Sequence, residues 1–379
     1  VSAAQPLRIG LSTTTVEPSL TGGQLDGIGV YSRALLEHLP AAGCAVLPYS
    51  FARPGRAAEL SVGRPMARSF PASTLIDLLA PSGMRATLPV DLFHSTDYRV
   101  LRMACPVVAT LHDALPISHP EWCNPRLRGL KNWLQIKAAQ KADHVIAHTA
   151  YSIEELVRCF GVDQRRISVV PAGVDEAWLE RPAEEDIAAT LAEHGLRPGY
   201  YLFVGTLQPR KNGERLLAAY LALPPVLRAA RQLLIVGAAG ARSETLVAQI
   251  KAAIQNGENV VWLATLSSDA QLRRIYAAAG VFVFPSLYEG FGIPVVEAFA
   301  SKVPVIASNT TSLPEVTQGA ALDVDPLSVP ELSAAMLALA RDDALRARCI
   351  AAGQRRALQL TWSETARKTA AVYRTVLSS

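Results

Sequence analysis

The sequence has no run of about 20 consecutive apolar residues, so nothing in it reads as a helix able to cross a bilayer. Cysteine is scarce. Cys44, Cys105, Cys123, Cys159 and Cys349 are odd in number, and none stands in a Cys-x-x-Cys pair. That spacing supports neither a disulfide framework nor a zinc site, and buried free thiols in a reducing compartment are expected. Charge of one sign is also weak: a net +4 on 379 residues is too little to point to nucleic acid. Only 18% of residues are charged while half are apolar, which excludes a disordered chain and favours large buried sheets. No dinucleotide Gly-x-Gly-x-x-Gly fingerprint occurs. No signal peptide is recognisable at the start, which is Val1 rather than Met, and a cytoplasmic location is expected.

At this length one hydrophobic core is not enough, so two domains are expected. Apolar strands alternate with helical segments in two successive sets. The first set reads as strands at Leu7–Ser12, Ala45–Phe51, Leu92–Ser95, Val107–Leu111, His144–Ala147 and Ile167–Val170, with a helix from about Val30 to Leu39. The second has Tyr201–Val204, Leu233–Val236, Val260–Leu263, Val281–Phe284, Val305–Ala307 and Ala321–Val324, with helices such as Ser243–Ile254 and Asp269–Ala278. The separations suit helical crossovers in doubly wound parallel sheets. The class is therefore α/β, with two Rossmann-like halves facing a cleft. Pro182, the acidic run Glu184–Asp186 and Pro198–Gly199 mark the junction, placing domains at 1–180 and 181–361. A last segment, 362–379, carries apolar residues at helical spacing from Trp362 to Tyr373.

The most informative motif is Tyr288-Glu289-Gly290-Phe291-Gly292-Ile293-Pro294, with Glu297 beyond it. An apolar strand feeds a glycine loop, and Pro294 suits the first residue of a helix. This geometry aims backbone N–H groups and the positive helix end at an anion, typically a phosphate. Gly205-Thr206-Leu207-Gln208-Pro209-Arg210-Lys211-Asn212 follows the first strand of the same half. There Arg supplies a planar fork and Lys a point charge, a pair suited to a diphosphate, although a solvated surface pair would look the same. In the first half, Gly27-Ile28-Gly29 follows the first strand and opens a helix; a simple turn would also explain it. His112-Asp113 ends the strand Val107–Leu111, where a histidine can donate to a sugar hydroxyl or close a loop structurally. His94 and Asp97 are weaker candidates. Ser308–Glu315 opens a short helix after another strand, and capping alone would account for it.

Together these residues resemble the retaining glycosyltransferases of family 4, which have the GT-B fold. The likeness covers nearly the whole chain and is strongest from Tyr201 to Pro326. It implies a nucleotide-sugar-binding second domain, an acceptor-binding first domain, and a final helix that returns to the first domain. The family's glutamate pair, seven residues apart, matches Glu289 and Glu297. By this resemblance Glu289 and the amides of Gly290, Phe291 and Gly292 hold the donor sugar, and Glu297 holds the ribose hydroxyls. Arg210 and Lys211 grip the diphosphate, Gly27 and Gly29 cap the phosphates, Gly205 lies in the donor loop, and His112 lies near the transferred sugar. The chain departs from the family at Ser301-Lys302 and at Ala264, where glycine is frequent.

The expected activity is that of a hexosyltransferase that moves a sugar with retention from a nucleotide-diphosphate donor to a hydroxyl of a glycan or lipid-linked glycan in polysaccharide biosynthesis. Mannose from GDP-mannose is the suggested donor, by likeness to bacterial polysaccharide mannosyltransferases. No metal or other cofactor is expected, because Arg210, Lys211 and the helix start would neutralise the leaving group. A nucleotide-sugar epimerase and a non-catalytic nucleotide-sugar-binding scaffold remain alternatives. Between Phe51 and Ala142 twelve Lys/Arg stand against six Asp/Glu. That excess, and Leu130, Trp133 and Leu134 beside Arg128 and Lys131, leave peripheral contact with an anionic membrane at the inner face of the plasma membrane as a further expectation. A buried core helix explains the same residues.

Overall fold

The computed structural model describes residues 5–23, 25–52, 55–79, 85–123, 128–266 and 268–378. The chain forms two compact units. One comprises Val1–Pro120, Pro125–Gly173 and Trp362–Ser379; the other comprises Glu121–Asn124 and Val174–Thr361. The change of unit thus falls at Gly173–Val174, ahead of the 180/181 junction expected from composition.

The first unit holds a seven-stranded sheet: β1 (Leu7–Ser12), β2 (Cys44–Ser50), β3 (Arg64–Pro65), β4 (Leu92–Ser95), β5 (Val107–Thr110), β6 (His144–Ala147) and β7 (Ile167–Val169). Its spatial order is β3-β2-β1-β4-β5-β6-β7, and every pairing is parallel. β4 and β5 are buried at every position, which is why they read as mostly apolar or small-residue runs, broken in β4 by His94. The two-residue β3 was not expected, since so short an edge strand has no periodicity to detect. Phe93, Val107, Ala109, Leu111, Val145, Leu156 and Phe160 lie together in the core beneath the sheet. The closing helix Trp362–Ser378 belongs to this unit and buries Trp362, Ala366, Ala370 and Tyr373, as its spacing indicated.

The second unit holds a six-stranded parallel sheet: β8 (Tyr201–Val204), β9 (Leu233–Val236), β10 (Val260–Leu263), β11 (Val281–Phe284), β12 (Val305–Ser308) and β13 (Leu322–Val324). Their order is β10-β9-β8-β11-β12-β13. Tyr201, Phe203, Leu233, Ile235, Val281, Val283, Ile306 and Met336 share one core. All strand expectations for this unit are met to within a residue. In both units the strand order reverses once, between β1 and β4 and between β8 and β11. Crevices that take ligands open at the carboxyl ends of strands at such reversals.

A buried carboxylate holds one loop of the first unit. Glu17 is fully buried and accepts N–H bonds from Ser61 (2.9 Å), Val62 (3.2 Å) and Gly63 (2.6 Å) and a hydroxyl from Ser50 (2.8 Å). A Cβ on Gly63 would lie 2.4 Å from the hydroxyls of Ser50 and Thr13, so only glycine fits. Burial works to raise the Glu17 carboxyl, but the N–H groups of Gly63, Ser61 and Val62 with the Ser50 hydroxyl outweigh it and hold it below its ordinary range.

Candidate active site

The loops after β8 and β11 leave the reversal point of the second sheet and are tied to each other. The Leu287 N–H donates to the Arg210 carbonyl at 2.7 Å. Asn212 donates to the carbonyls of Pro285 (2.9 Å) and Pro326 (2.7 Å). Pro209–Lys211 form a single tight turn that Asn212 closes in the left-handed conformation, φ 59°. Gly205 stands at the mouth of β8, where a Cβ on neighbouring Gly237 would fall 2.1 Å from the Gly205 carbonyl oxygen. The two strand ends therefore touch backbone to backbone.

This scaffold brings Arg210, Lys211 and Glu289 together. Lys211 Nζ lies 2.5 Å from one Glu289 carboxylate oxygen, and Arg210 donates to the other at 3.1 Å. Arg210 also donates to the Tyr288 carbonyl at 3.2 Å, and Lys211 Nζ sits 4.6 Å from the centre of the Phe284 ring. Glu289 is 7% exposed and Lys211 8%. Burial works to raise the Glu289 carboxyl; Lys211 and Arg210 overcome it and hold the group ionised, below its usual range. Two cations meet one carboxylate. The pair expected to grip a diphosphate is thus not solvated surface.

Gly292 is the residue before the helix Ile293–Ala300 and takes φ 102°, a conformation that glycine tolerates. A Cβ there would meet the Leu313 side chain at 2.7 Å. Pro294 is the second helical residue, one later than expected. Phe291 is buried, so what it can present to a ligand is backbone. Ser312 donates to the Glu289 carbonyl at 2.8 Å, and the Glu289 N–H donates to the Thr311 hydroxyl at 3.3 Å, which fixes the Glu289–Gly292 loop from below. Glu297 lies in the second turn of the helix. Burial raises its carboxyl to about 7, against a hydrogen bond from the Tyr276 hydroxyl.

In the first unit one boundary differs from the expectation. The helix begins at Gly27, not Val30, with Asp26 as its cap. The Gly29 N–H is taken by the Asp26 carboxylate at 2.8 Å, so it is not offered to a phosphate. Gly29 is required by packing, since a Cβ would lie 2.8 Å from the Thr15 carbonyl oxygen, whereas Gly27 has open space around it. His112 uses both ring nitrogens inside the unit, one on the Thr96 carbonyl (2.8 Å) and one on His148 (3.0 Å). It therefore has no nitrogen turned toward a sugar hydroxyl. Asp113 accepts from Tyr98 (3.1 Å) and the Leu115 N–H (3.0 Å). His94 bonds Tyr373 of the closing helix (2.6 Å) and Thr110 (2.8 Å).

One contributor went unnoticed in the sequence, and two lie in the Ser308–Glu315 stretch without having been singled out. His148 follows β6 as His112 follows β5, and the same rule, a polar residue just past a strand's carboxyl end, would have found it. Thr311 and Ser312 have no sequence signal of their own, because their role depends on the partner loop. An Asp-x-Asp sequence also occurs, Asp323-Val324-Asp325. Asp325 accepts the Leu327 N–H at 2.9 Å and shapes a turn. Among the described residues neither aspartate belongs to a close group of three ligand side chains.

A parallel sheet with a cationic pair and a glycine-led helix at its reversal point is an arrangement suited to an anionic ligand. Residues 189–356 match the family Glycosyl transferases group 1, and residues 25–178 match Glycosyltransferase Family 4. The chain is 31% identical over 286 residues to the O-antigen chain mannosyltransferase B of Escherichia coli, covering 75% of this chain and 74% of the relative. It belongs to this glycosyltransferase family and is an enzyme of sugar transfer. Solved structures share its fold. Sucrose-phosphate synthase from Thermosynechococcus elongatus superposes with a TM-score of 0.73 at 21% identity, over 98% of this chain and 99% of that one. HepE from Anabaena, solved with UDP and glucose, gives 0.72 at 18% identity, over 97% and 99%. The fold is GT-B, with two Rossmann-like parallel-sheet domains.

Proposed function

We propose that the enzyme is a retaining hexosyltransferase that takes its sugar from a nucleotide-diphosphate donor and builds a glycan or lipid-linked glycan. The observation that carries this reading is the buried Arg210–Lys211–Glu289 cluster, which joins the loops after β8 and β11. Bond cleavage develops negative charge on the leaving diphosphate, and preorganised cations are the groups that stabilise it. Glu289 holds both cations in place and serves as acceptor for sugar hydroxyls, with Glu297 accepting from the ribose. The amides of Gly290, Phe291 and Gly292 complete the donor cradle. No metal is assigned, and the acceptor attacks on the face the leaving group occupies, with the donor phosphate taking its proton. GDP-mannose is the proposed donor, because the similar O-antigen enzyme is a mannosyltransferase; the UDP held by HepE makes the UDP series the natural comparison.

The acceptor is assigned to the first unit. It contains a hollow of about 730 Å³ whose lining includes the hydroxyl residues Thr14, Thr15 and Thr21 and the rings of Phe51 and Phe70. Hydroxyls beside aromatic faces suit a sugar. A membrane-borne acceptor is favoured by the helix Arg128–Ala139, which exposes Leu130 and Trp133 beside Arg128 and Lys131. Arg126, two residues before this helix, lies outside the described residues. No described helix is long and apolar enough to cross a membrane.

A thermal-shift panel of GDP, UDP and ADP and their sugars tests the donor. A ligand at 100 times its Kd adds about 2.7 kcal/mol to the folded state. One base series should raise the midpoint, and its sugar nucleotide should release sugar to an acceptor. Isomerised donor without acceptor would indicate an epimerase, and binding without sugar release a scaffold. No shift with any nucleoside diphosphate would remove the donor assignment.

A further inference from the structure

The hollow of the first unit is bordered by a guanidinium that is held from behind. Arg99 stands four residues after Ser95, the end of β4, and lines the hollow with Asp26, Thr15 and Thr21. Its Nη1 lies 3.0 Å from Asp97 Oδ2, and its backbone N–H donates to Asp97 Oδ1 at 2.8 Å. Asp97 is 4% exposed. The Ser95 hydroxyl ties the same turn, 3.1 Å from the Asp97 carbonyl oxygen and 3.2 Å from that of Arg99. Asp97 thus occupies one corner of the guanidinium. Nε and Nη2 meet no partner among the described residues, and their parallel N–H groups form a fork spaced for two oxygens.

On the reading of this hollow as the acceptor site, we propose that Arg99 selects the acceptor, with Asp97 as its positioning residue. It selects an uncharged sugar, through a pair of neighbouring hydroxyls, over a phosphorylated one. The residues concerned all belong to the first unit.

The polarity of the other lining groups decides between the two. Thr21 spends its hydroxyl hydrogen on the Glu17 carbonyl (3.1 Å) and Thr15 on the Ser32 hydroxyl (2.9 Å), so both are left with lone pairs only. Asp26 caps the Gly27–His38 helix through Oδ1, and as a carboxylate it only accepts. Thr14, whose hydroxyl accepts the Phe51 N–H at 3.0 Å, and Ser69 can do either. Three of the polar residues around Arg99 therefore ask the ligand for hydrogens. A sugar hydroxyl both donates and accepts, so neighbouring hydroxyls can take the fork and give their hydrogens to Asp26 or the threonines. A phosphate would satisfy Arg99 and set its remaining oxygens against lone pairs.

Charge points the same way. Among the described residues here, Asp97 offsets Arg99, and Asp26 adds a second carboxylate. Burial pushes the Asp97 carboxyl up and Asp26 adds to this, against the pull of Arg99, so the two carboxylates lie near enough to sense each other. The apolar side of a sugar ring also has a place. Phe51 and Phe70 both line the hollow and meet edge to face with centres 5.8 Å apart. At about 730 Å³ the hollow falls within the ~300–1,000 Å³ of small-ligand sites.

The test is saturation-transfer NMR titration of the full chain with the methyl glycosides of mannose, glucose, galactose and N-acetylglucosamine, with phosphorylated forms of the same sugars, and with inorganic phosphate. At least one uncharged glycoside should bind, more tightly than any phosphorylated probe. Arg99→Lys keeps the charge and loses the fork, so it should weaken that glycoside about tenfold, the scale of one charge-assisted hydrogen bond. Its midpoint shift with nucleoside diphosphate should match that of the wild type. Asp97→Asn frees the Arg99 charge and should move the preference toward the phosphorylated sugar, whereas a merely structural Asp97 would weaken every probe alike. If that variant does not fold, Asp26→Asn, which retains a capping side chain, reads the same change of preference. No glycoside bound, equal binding by Arg99→Lys, or tighter binding of a phosphorylated probe by the wild type would overturn the assignment. Glycoside binding that depends on Arg99, in a chain that no nucleoside diphosphate stabilises, would support this site and remove only the donor assignment.

Discussion

Lys211 and Glu289 are both buried, and each would be costly alone. Their 2.5 Å contact, with Arg210 at 3.1 Å, keeps the Glu289 carboxyl ionised in a place where an unpaired charge could not persist. A cluster assembled before the ligand arrives loses little to reorganisation when charge develops. Replacing Arg210 or Lys211 with Ala should therefore lower turnover by about 10²–10³-fold, the scale for one preorganised donor. Steady-state assays of each variant check this, and wild-type rates in both would take the pair out of the mechanism. Glu297 gives a pH dependence. Its folded pKa of about 7 lies above the ordinary 4.5, so its contribution to stability is full below pH 4.5 and is lost as pH rises through 7. Glu297→Gln should then be more stable than wild type above pH 7 and about equal near pH 4. If the carboxylate accepts from ribose, donor binding in the wild type should tighten as pH rises through 7, and the variant should show no such trend in midpoint shifts.

At the scale of elements, two loop geometries depend on single residues. Glu17 gathers the N–H groups of three consecutive residues, a role that no local pattern around Pro18 reveals. Its carboxyl is lowered on folding, so the stability it adds is present above pH 4.5 and is lost as pH falls through its folded value. Glu17→Gln should lower the thermal midpoint at pH 7, and its gap to wild type should close at low pH. Lys302 follows the helix Ile293–Ala300 by two residues and adopts φ 61°, the left-handed conformation. The departure from the family's glycine is thus a residue holding a glycine's backbone conformation at an exposed turn. Left-handed geometry costs a residue with a side chain roughly 1–2 kcal/mol, part of which glycine gives back as entropy. Lys302→Gly should raise the unfolding free energy measured by urea titration, by about 1 kcal/mol at most.

For the molecule as a whole, the last 17 described residues determine whether the first unit is complete. Trp362 packs edge-on to Tyr31 at 6.1 Å, and Tyr373 closes over His94. Each buried aromatic contributes on the order of 3–5 kcal/mol, and a domain's whole stability is about 5–15 kcal/mol. A chain ending at Thr361 should lose the first unit's cooperative unfolding while the second unit, which lies outside that segment, keeps its own. Two-step against single-step calorimetric melting of the two lengths distinguishes these outcomes.

Strand existence, helix spacing, the parallel class and the Arg210-Lys211 and Glu289 motifs were legible in the chain, because each is written in neighbouring residues: an apolar run, a repeat of three and four, a glycine beside a proline. What joins distant segments was not. That Glu289 closes on Arg210 and Lys211, that His112 turns inward to His148, that Asp26 claims the Gly29 amide and that Glu17 binds the 61–63 loop are facts of packing. A side chain's partners are chosen by which backbone groups burial leaves unsatisfied nearby, and only the folded chain determines which groups those are.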